Sequence, residues 1–371
     1  MKNKIFYILV ITFSAIFIWL GNFLVSQNYM RQQTSNNVIR GTITNIIQRT
    51  EDIHEVGNST FINLFIIFEA ITSDNEIVTA EFSAFGQEQN IQREIQIGDR
   101  VILMYNNFTN QFLFIEFERI NYILILGVFI ILLFIILGRA KGAYSILALI
   151  ITCLAIFLVL IPSIINGFNI YVTSIIVTIF SIATTLAIVA GPTKKAITTF
   201  IGCMSGIFIA SLLMYSMDIL LKLTGLIDSE TRSLVYFVAE HPINVRAVIF
   251  AGVIIGASGA ITDVAMSISS ALWEVQKASS KEKKELFKSG IEIGKDILGT
   301  MLNTLVLAYI GTSLSLILLI QSHTTTFLEL FNTEMIIVEF LRSAVGTFGM
   351  IVTVPVTTTI CCVLYTKREL K

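Results

Sequence analysis

An aspartate interrupts an otherwise apolar stretch, GVIIGASGAITDVAMSISSALWEV, at residues 252–275. On a helix that turns about 100° per residue, small and polar side chains fall within about 80° of Gly252. They are Gly256, Ala260, Asp263, Ser267, Ser270 and Glu274. A carboxylate that faced lipid from the middle of a membrane helix would cost about 2.5–3.5 kcal/mol or more. We therefore expect Asp263 to face protein or water.

A second polar face lies in the stretch EIGKDILGTMLNTLVL, where Glu292, Asp296, Gly299 and Asn303 share about 60° of a helix. At a rise of about 1.5 Å per residue, Asp263 and Asn303 lie about 10 Å from the same membrane surface and can meet across a helix pair. This pair is either an ion or proton site beside a polar pathway or a hydrogen bond that holds two helices together. Asp296 has a further explanation, because the helix dipole favours an acidic residue at a helix start.

Small residues at four-residue spacing predict close contacts between helices, because they let two backbones approach each other. Gly202, Gly206 and Ala210 form one such ridge, and Gly252 with Gly256 begins another. We expect helix neighbours on both faces.

Two charged pairs also have helical spacing. Glu339 and Arg342 are three residues apart, which predicts an ion pair with each other or with a neighbouring span. Asp218 and Lys222 are four residues apart, which predicts a structural ion pair at the membrane interface.

The elements that must position these residues are membrane helices. The 371-residue chain is 54% hydrophobic and 14% charged, with a mean hydropathy of +0.79, which is not the composition of a soluble protein. A span needs about 20 apolar residues, and eight stretches qualify or nearly qualify. They are 5–24, 122–137, 143–165, 170–189, 197–221, 248–272, 297–320 and 335–365. The first has some features of a signal peptide, but it carries Trp19 and lacks a convincing cleavage site, so we interpret it as an uncleaved anchor.

Positive charges predict the orientation, since Lys and Arg in short loops stay in the cytoplasm. With the N-terminus inside, 15 of the 25 Lys and Arg residues lie in inner segments and three lie in outer loops. Six more belong to a long exported segment, to which the rule does not apply, and Arg342 lies within a span. We expect a polytopic α-helical protein of the cell membrane with both termini in the cytoplasm.

The spans divide the chain into an anchor at residues 1–26, an extracytoplasmic domain at 27–120 and a seven-span membrane domain at 121–371. In the exported segment, five short alternating runs separated by turn residues predict five strands. Such strands suggest a small β-rich barrel or sandwich, with the oligonucleotide-binding fold as one candidate. The segment holds 12 acidic and six basic residues. His54 is interpreted as a solvated loop residue rather than part of a metal or pH site.

A charged cytoplasmic loop is predicted near residues 273–296, with one short helix. Ser279 and Glu282 have the spacing of a capping box, and Gly290 can end the helix. The lysines of this loop are first of all the orientation signal, and contact with anionic lipid or a partner is the second interpretation.

Several kinds of chemistry find no support in the sequence. All four cysteines fall within predicted spans, which argues against disulfides and thiolate metal sites. His241 and His323 lie in outer loops without ligand spacing. We expect no cofactor, no metal, no nucleic-acid partner and no enzymatic activity, because nucleotide-binding and serine–histidine motifs are lacking.

Three stretches together resemble the YibE/F-like family of bacterial membrane proteins: GVIIGASGAITDVAMSISSALWEV, GIEIGKDILGTMLNTLVLAYIGTSL and VEFLRSAVGTFGMIVTVPVTT. The resemblance extends over about residues 120–366, and a β-rich exported segment after one N-terminal span is also similar. It implies a multispan protein of the bacterial cell membrane, without an established activity. The positions that match the family's motifs are Asp263, Asp296, Asn303, Glu339 and Arg342.

Three functions are compatible with these features. The first is a transporter, channel or permease component that moves a small solute or ion along the polar faces of spans six and seven, with Asp263 as the ion or proton site. The second is a structural or assembly protein whose exported domain binds an envelope partner. The third, an intramembrane enzyme, is disfavoured because Asp296 lies too near the surface to oppose Asp263. The expected partners are the lipid bilayer and either a second copy of the chain or another membrane protein.

Overall fold

The structure is a computed structural model. It describes residues 2–26, 38–56, 59–87, 94–107, 109, 111–237, 243–322 and 326–366. His241 and His323 lie outside the described residues. Backbone contacts divide the chain into two compact units, one made of residues 1–30 and 134–371 and the other of residues 31–133.

Five strands form a closed barrel in the second unit, which confirms the predicted number of strands and excludes a sandwich. They are β1 (Val38–Val56), β2 (Ser59–Thr72), β3 (Ile77–Gln87), β4 (Arg100–Asn106) and β5 (Gln111–Phe117). The order around the barrel is β1-β2-β3-β5-β4. Neighbouring strands are antiparallel except β3 and β5, which are parallel.

The barrel interior follows the two-residue period of a β-strand. Leu64, Ile66, Phe68 and Ala70 of β2 are at most 1% exposed, whereas the residues between them are partly exposed. The alternating pattern in the sequence is therefore the pattern of the barrel core.

The prediction that His54 lies in a loop is wrong. This residue is part of β1, is exposed, and pairs in register with Phe61 of β2. The strand continues past its apolar residues because β2 offers backbone partners as far as Val56.

The other elements are helices. They are α1 (Lys2–Ser26), α2 (Ile120–Ala155), a π-helical turn (Ile156–Leu160), α3 (Ile161–Ile165), α4 (Ile170–Val189), α5 (Lys194–Leu220), α6 (Ser229–Phe237), α7 (Val245–Ser279), α8 (Lys283–Thr312), α9 (Leu314–Ser322), α10 (Phe327–Asn332) and α11 (Glu334–Tyr365). Side chains of Asn169, Thr193 and Asn244 accept backbone hydrogen bonds at the starts of α4, α5 and α7, as helix-capping residues do. Within the described ranges, seven helical stretches are long and apolar enough to cross a membrane.

One of these stretches, Ile120–Ile165, contains two of the eight predicted spans. Its 46 residues would extend about 69 Å as a straight helix, more than twice the thickness of a hydrocarbon core. The backbone leaves helical geometry at Arg139, where φ is 50° and ψ is −133°. A Cβ on Gly142 would collide with the carbonyl oxygen of Phe134, although residues eight apart in a straight helix are about 12 Å apart. The chain therefore reverses direction at Arg139.

The largest hydrophobic cluster, here called the core cluster, joins α5, α7, α8 and α11. Ile254, Ile261 and Ile268 of α7 recur every seven residues and are completely buried in it. Gly202 of α5 lies directly against Thr357 of α11, and Gly206 lies against Thr353. The missing side chains of these glycines let α5 and α11 approach closely.

The prediction of a short helix that ends at Gly290 is wrong. α8 continues through this residue without interruption. A Cβ at Gly290 would crowd Thr358 and Leu272, and one at Gly294 would crowd Val354. These glycines are contact points for α11 and α7, so their role is packing rather than helix termination.

A second hydrophobic cluster, here called the side cluster, joins α1, α4 and the part of α2 that follows the reversal. It includes Ala148, Ile151 and Phe180. The ring of Phe17 on α1 stacks on Phe180 with centroids 3.9 Å apart. Because Leu186 of α4 belongs to the core cluster, α4 lies between the two clusters.

Candidate functional site: a groove around Asp263

Asp263 lies near the middle of α7 and is exposed. Ile261 and Val264 beside it are completely buried in the core cluster. The helix ends at Ser279, 16 residues later, which is about 24 Å along the axis. If α7 crosses a bilayer, this carboxylate lies within the hydrocarbon core.

Asp263 lines a groove with a volume of about 370 Å³. Its walls are α7, α4 and the part of α2 that follows the reversal. Each wall contributes hydroxyl groups, which belong to Ser145, Thr152, Ser181, Thr185, Ser258 and Thr262. Among the described residues that line this groove, Asp263 is the single charged one.

Three of these hydroxyl groups donate their proton to the backbone of their own helix. Ser258 donates to the carbonyl of Ile255 at 2.6 Å, Thr262 to that of Ser258 at 2.7 Å, and Ser145 to that of Lys141 at 3.1 Å. A hydroxyl that donates in this way keeps its oxygen lone pairs for another donor or for a cation. Ser258 and Ser145 therefore present oxygen acceptors, whereas the oxygen of Thr262 already accepts a hydrogen bond from Cys203 of α5.

Ser181 is the least satisfied of the six hydroxyl residues. Its Oγ is buried and has no hydrogen-bond partner within the described part of the chain. A buried polar group without a partner costs about 1–3 kcal/mol.

The predicted polar face of α7 is exposed rather than packed. Gly252 and Ser267 are exposed and Ser270 is half-buried. A Cβ on Gly252 would have no neighbour within 4 Å, and one on Gly256 would meet the hydroxyl of Tyr309 at 3.2 Å. Within the described residues, this face is therefore open at Gly252, whereas at Gly256 it contacts α8 through Tyr309.

The structure does not bring Asn303 to Asp263. Asn303 and Asp296 are exposed on α8, and neither lines the groove. α8 packs on α11 through Gly290 and Gly294, which lie on the opposite side of the helix. The packing of α8 therefore turns its polar face away from the groove.

The two predicted charged pairs differ in outcome. Arg342 donates a hydrogen bond to Glu339 within α11, so these residues pair with each other. Asp218 and Lys222 form no ion pair, because α5 ends at Leu220 and the backbone of Lys222 is left-handed with φ 51°. Asp218 is buried, with 6% of its surface exposed.

The structure contains a polar cluster that no sequence pattern predicts. The hydroxyl groups of Thr198, Ser269 and Tyr365 lie within hydrogen-bonding distance of one another: Ser269 is 2.7 Å from each of the others, and Thr198 is 2.9 Å from Tyr365. We call this the hydroxyl triad. Its members come from α5, α7 and α11, at sequence separations of 71 and 96 residues from Ser269, so no local spacing could indicate it.

A model of the YibE/F-like protein family matches residues 125–367. The chain belongs to the YibE/F-like family. This confirms the resemblance, and the matched part of the YibE/F-like chain includes every residue of the groove and of the hydroxyl triad. The barrel strands lie before it. Neither a curated protein nor a solved structure matches the chain.

The chemistry that the groove offers is binding by oxygen. Within the described ranges, no group of three or more His, Cys, Asp and Glu side chains is placed to hold a metal ion. The groove instead combines one carboxylate with six hydroxyl groups. Such a surface can bind a cation, exchange a proton or carry a polar solute past α7.

Proposed function

We propose that this YibE/F-like chain is a component of a transporter or permease that moves a small solute or ion along the groove around Asp263. The observation that carries the proposal is a carboxylate near the middle of α7 that lines one groove together with hydroxyl groups from three helices. Lipid in this groove would leave the carboxylate and the hydroxyl groups without polar partners. Water or a polar solute would satisfy them.

This pathway differs from the one predicted along the faces of α7 and α8. Its walls are α2, α4 and α7, whereas the polar face of α8 carries no groove residue. Ser267, Ser270, Asp296 and Asn303 are therefore not part of the proposed route. Asp263 keeps its proposed role as the charged group of the pathway.

The groove extends from the middle of the helices toward one end of the bundle. Thr152 and Ser181 lie near the middle of their helical segments, whereas Ser145 and Val189 lie near the end at which α5 begins. In the orientation predicted from positive charges, this is the cytoplasmic end. We propose that the groove opens to the cytoplasm.

We also propose eight membrane crossings, with both termini in the cytoplasm and the barrel outside the cell membrane. The reversal at Arg139 supports this number, because it divides the 46-residue stretch into two arms. The first arm, from Ile120 to Gly138, is about 28 Å long, close to the thickness of a hydrocarbon core.

A second candidate function, an assembly protein whose barrel binds an envelope partner, is supported by a cleft in the barrel unit. The cleft has a volume of about 720 Å³ and is lined by charged and aromatic side chains, including Glu94, Asp99, Arg100, Phe117 and Arg119. Barrels of the oligonucleotide-binding type bind ligands at one face and its loops. The closed five-stranded barrel supports that fold type. Copurification of one stoichiometric partner that the substitution Phe117→Ala releases would favour this function.

Thiol accessibility tests the transport proposal. The four native cysteines are replaced, and single cysteines are introduced at Thr185 and Ser258, which line the groove. We expect a membrane-impermeant thiol reagent to label both positions in membrane vesicles, from the cytoplasmic side, because such reagents need water around the thiol.

Two matched positions serve as controls. Ala265 lies on α7, like Ser258, but is completely buried. Phe208 of α5 is 67% exposed, outside the groove, and is expected to face lipid. If cysteines at the groove positions are labelled no faster than cysteines at Ala265 and Phe208, the groove is dry or filled with lipid. The transport proposal would then be abandoned.

A further inference from the structure

The substrate class of the groove follows from its charge, its ligand atoms and its volume. We propose that the groove binds a single alkali-metal cation, with Asp263 as the charged ligand and the hydroxyl oxygens around it as neutral ligands. The inference rests on the proposed transport function and names the class of solute that it would move.

The charge of the groove favours a monovalent cation. Asp263 is the single charged residue among the described residues that line it. One monovalent cation makes the loaded site neutral, so the site and its ion have no net charge to desolvate within the membrane. A divalent cation would leave a net positive charge, and an anion would add a second negative charge.

The ligand atoms favour a hard cation. Ser258 and Ser145 direct their protons into their own helices, so their oxygens keep lone pairs for a cation. Thr262 does the same, but its oxygen already accepts a hydrogen bond from Cys203 of α5. Hard cations prefer carboxylate, carbonyl, hydroxyl and water oxygens, whereas soft metals prefer sulfur and imidazole. Met266 is the single sulfur residue among the described residues of the lining.

Ser181 lines the groove, and its Oγ has no hydrogen-bond partner within the described residues. Thr152 lies on the α2 wall of the groove and Thr185 on the α4 wall. With Asp263 on α7, candidate ligands therefore come from all three walls. An ion between them would bind to α2, α4 and α7 at once.

The volume indicates that the ion enters with part of its water shell. A water molecule occupies about 30 Å³ in the liquid, so 370 Å³ has room for about a dozen. Site residues therefore replace only some of the ion's waters. We expect Na⁺ and K⁺ to bind with affinities within about tenfold of each other. A site that removes few of an ion's waters discriminates poorly between ions of different radius.

The test uses the full chain, purified and placed in lipid nanodiscs. Thermal unfolding is followed while NaCl or KCl replaces choline chloride at constant ionic strength. We expect the Tm to rise and saturate with either alkali cation, because an ion that binds only the folded state stabilises it. Asp263→Asn should weaken the apparent affinity by at least about tenfold, since it removes the charge of the main ligand.

Asp296→Asn is the matched control. It makes the same chemical change on the exposed face of α8, outside the groove, and should keep the response of the unmodified chain. If Asp263→Asn does not fold, Thr185→Val and Ser258→Ala provide the same comparison, with a smaller loss of affinity. If the Tm of the groove variants depends on Na⁺ and K⁺ in the same way as the Tm of Asp296→Asn, the proposed cation site would be overturned.

Failure of this inference can be distinguished from failure of the transport proposal. If the groove cysteines are labelled but the Tm does not change with Na⁺ or K⁺, the groove would be a water-filled pathway for another solute. The cation assignment would then be withdrawn. A Tm that depends on pH through Asp263 but not on alkali cations would replace the metal cation with a proton. Unlabelled groove thiols would remove the pathway itself.

Discussion

The hydroxyl oxygen of Ser269 on α7 lies 2.7 Å from the hydroxyl oxygen of Tyr365 on α11, and Thr198 of α5 completes the triad. Ser269 and Thr198 are completely buried. Next to this triad, the ring of Trp273 packs edge-on against Tyr365 with centroids 5.0 Å apart. The triad therefore joins α5, α7 and α11, three of the four helices of the core cluster, at the end where α11 finishes.

Removing one member of the triad should destabilise the chain. Tyr365→Phe leaves the hydroxyl groups of Ser269 and Thr198 without one partner, at an expected cost of about 1–3 kcal/mol in the free energy of unfolding. The measurement is denaturant or thermal unfolding in detergent. Ser279→Ala, which removes an exposed serine hydroxyl from α7, is the control. If both variants unfold alike, the triad is not a stabilising contact.

The glycines of α5 and α7 should respond to alanine in opposite directions. Gly202→Ala places a methyl group against Thr357 and should destabilise the chain by about 1–3 kcal/mol through overpacking. Gly252→Ala meets no atom within 4 Å and should be neutral or stabilising by up to about 1 kcal/mol, because alanine favours helix. Unfolding midpoints of the two variants check this. A loss of stability in Gly252→Ala as large as in Gly202→Ala would mean that α7 has a neighbour there.

The reversal at Arg139 predicts an even number of membrane crossings. Eight crossings place the N-terminus and the C-terminus on the same side of the membrane, whereas a single crossing by Ile120–Ile165 would give seven and place them on opposite sides. Protease protection of tags at the two ends, in vesicles of known orientation, measures this directly. We expect both tags to be protected in right-side-out vesicles and cleaved in inside-out vesicles. One tag cleaved in each preparation would refute the two-arm topology.

The polar face of α8 should meet a second copy of the chain. Asn303 is exposed there, and a Cβ on the nearby Gly299 would have nothing within 4 Å. An amide both donates and accepts hydrogen bonds, so two Asn303 side chains related by a two-fold axis satisfy each other. In a chain without native cysteines, Asn303→Cys should form a disulfide-linked dimer in the membrane, and Phe208→Cys should not. Crosslinks from both positions would indicate random collision instead.

The outline of the fold could be predicted from the sequence because it depends on local patterns. Five alternating runs gave five strands, and apolar runs of sufficient length gave the helices. Local patterns were misleading where tertiary contacts decide. Gly290 has the features of a helix stop, yet α8 continues through it, and its missing side chain leaves space for Thr358 and Leu272.

The site could be predicted only in part. Asp263 was identifiable because a carboxylate inside an apolar run is costly wherever it faces lipid. Its neighbours Thr152, Ser181 and Thr185 could not be identified, since serine and threonine in a span often bond their own helix and have no fixed partner. Helical wheels place residues on a face but do not say which helix covers that face, and for this reason Asn303 was assigned to Asp263.

The position of α4 between the two hydrophobic clusters has a mechanical consequence. The groove follows the seam where the side cluster, with α1 and α2, meets the core cluster of α5, α7, α8 and α11. Because α4 has side chains in both clusters, a small sliding movement of α4 would widen or narrow the groove, as in shear motions of packed helices. The accessibility of the Asp263 carboxylate would then depend on the position of α4.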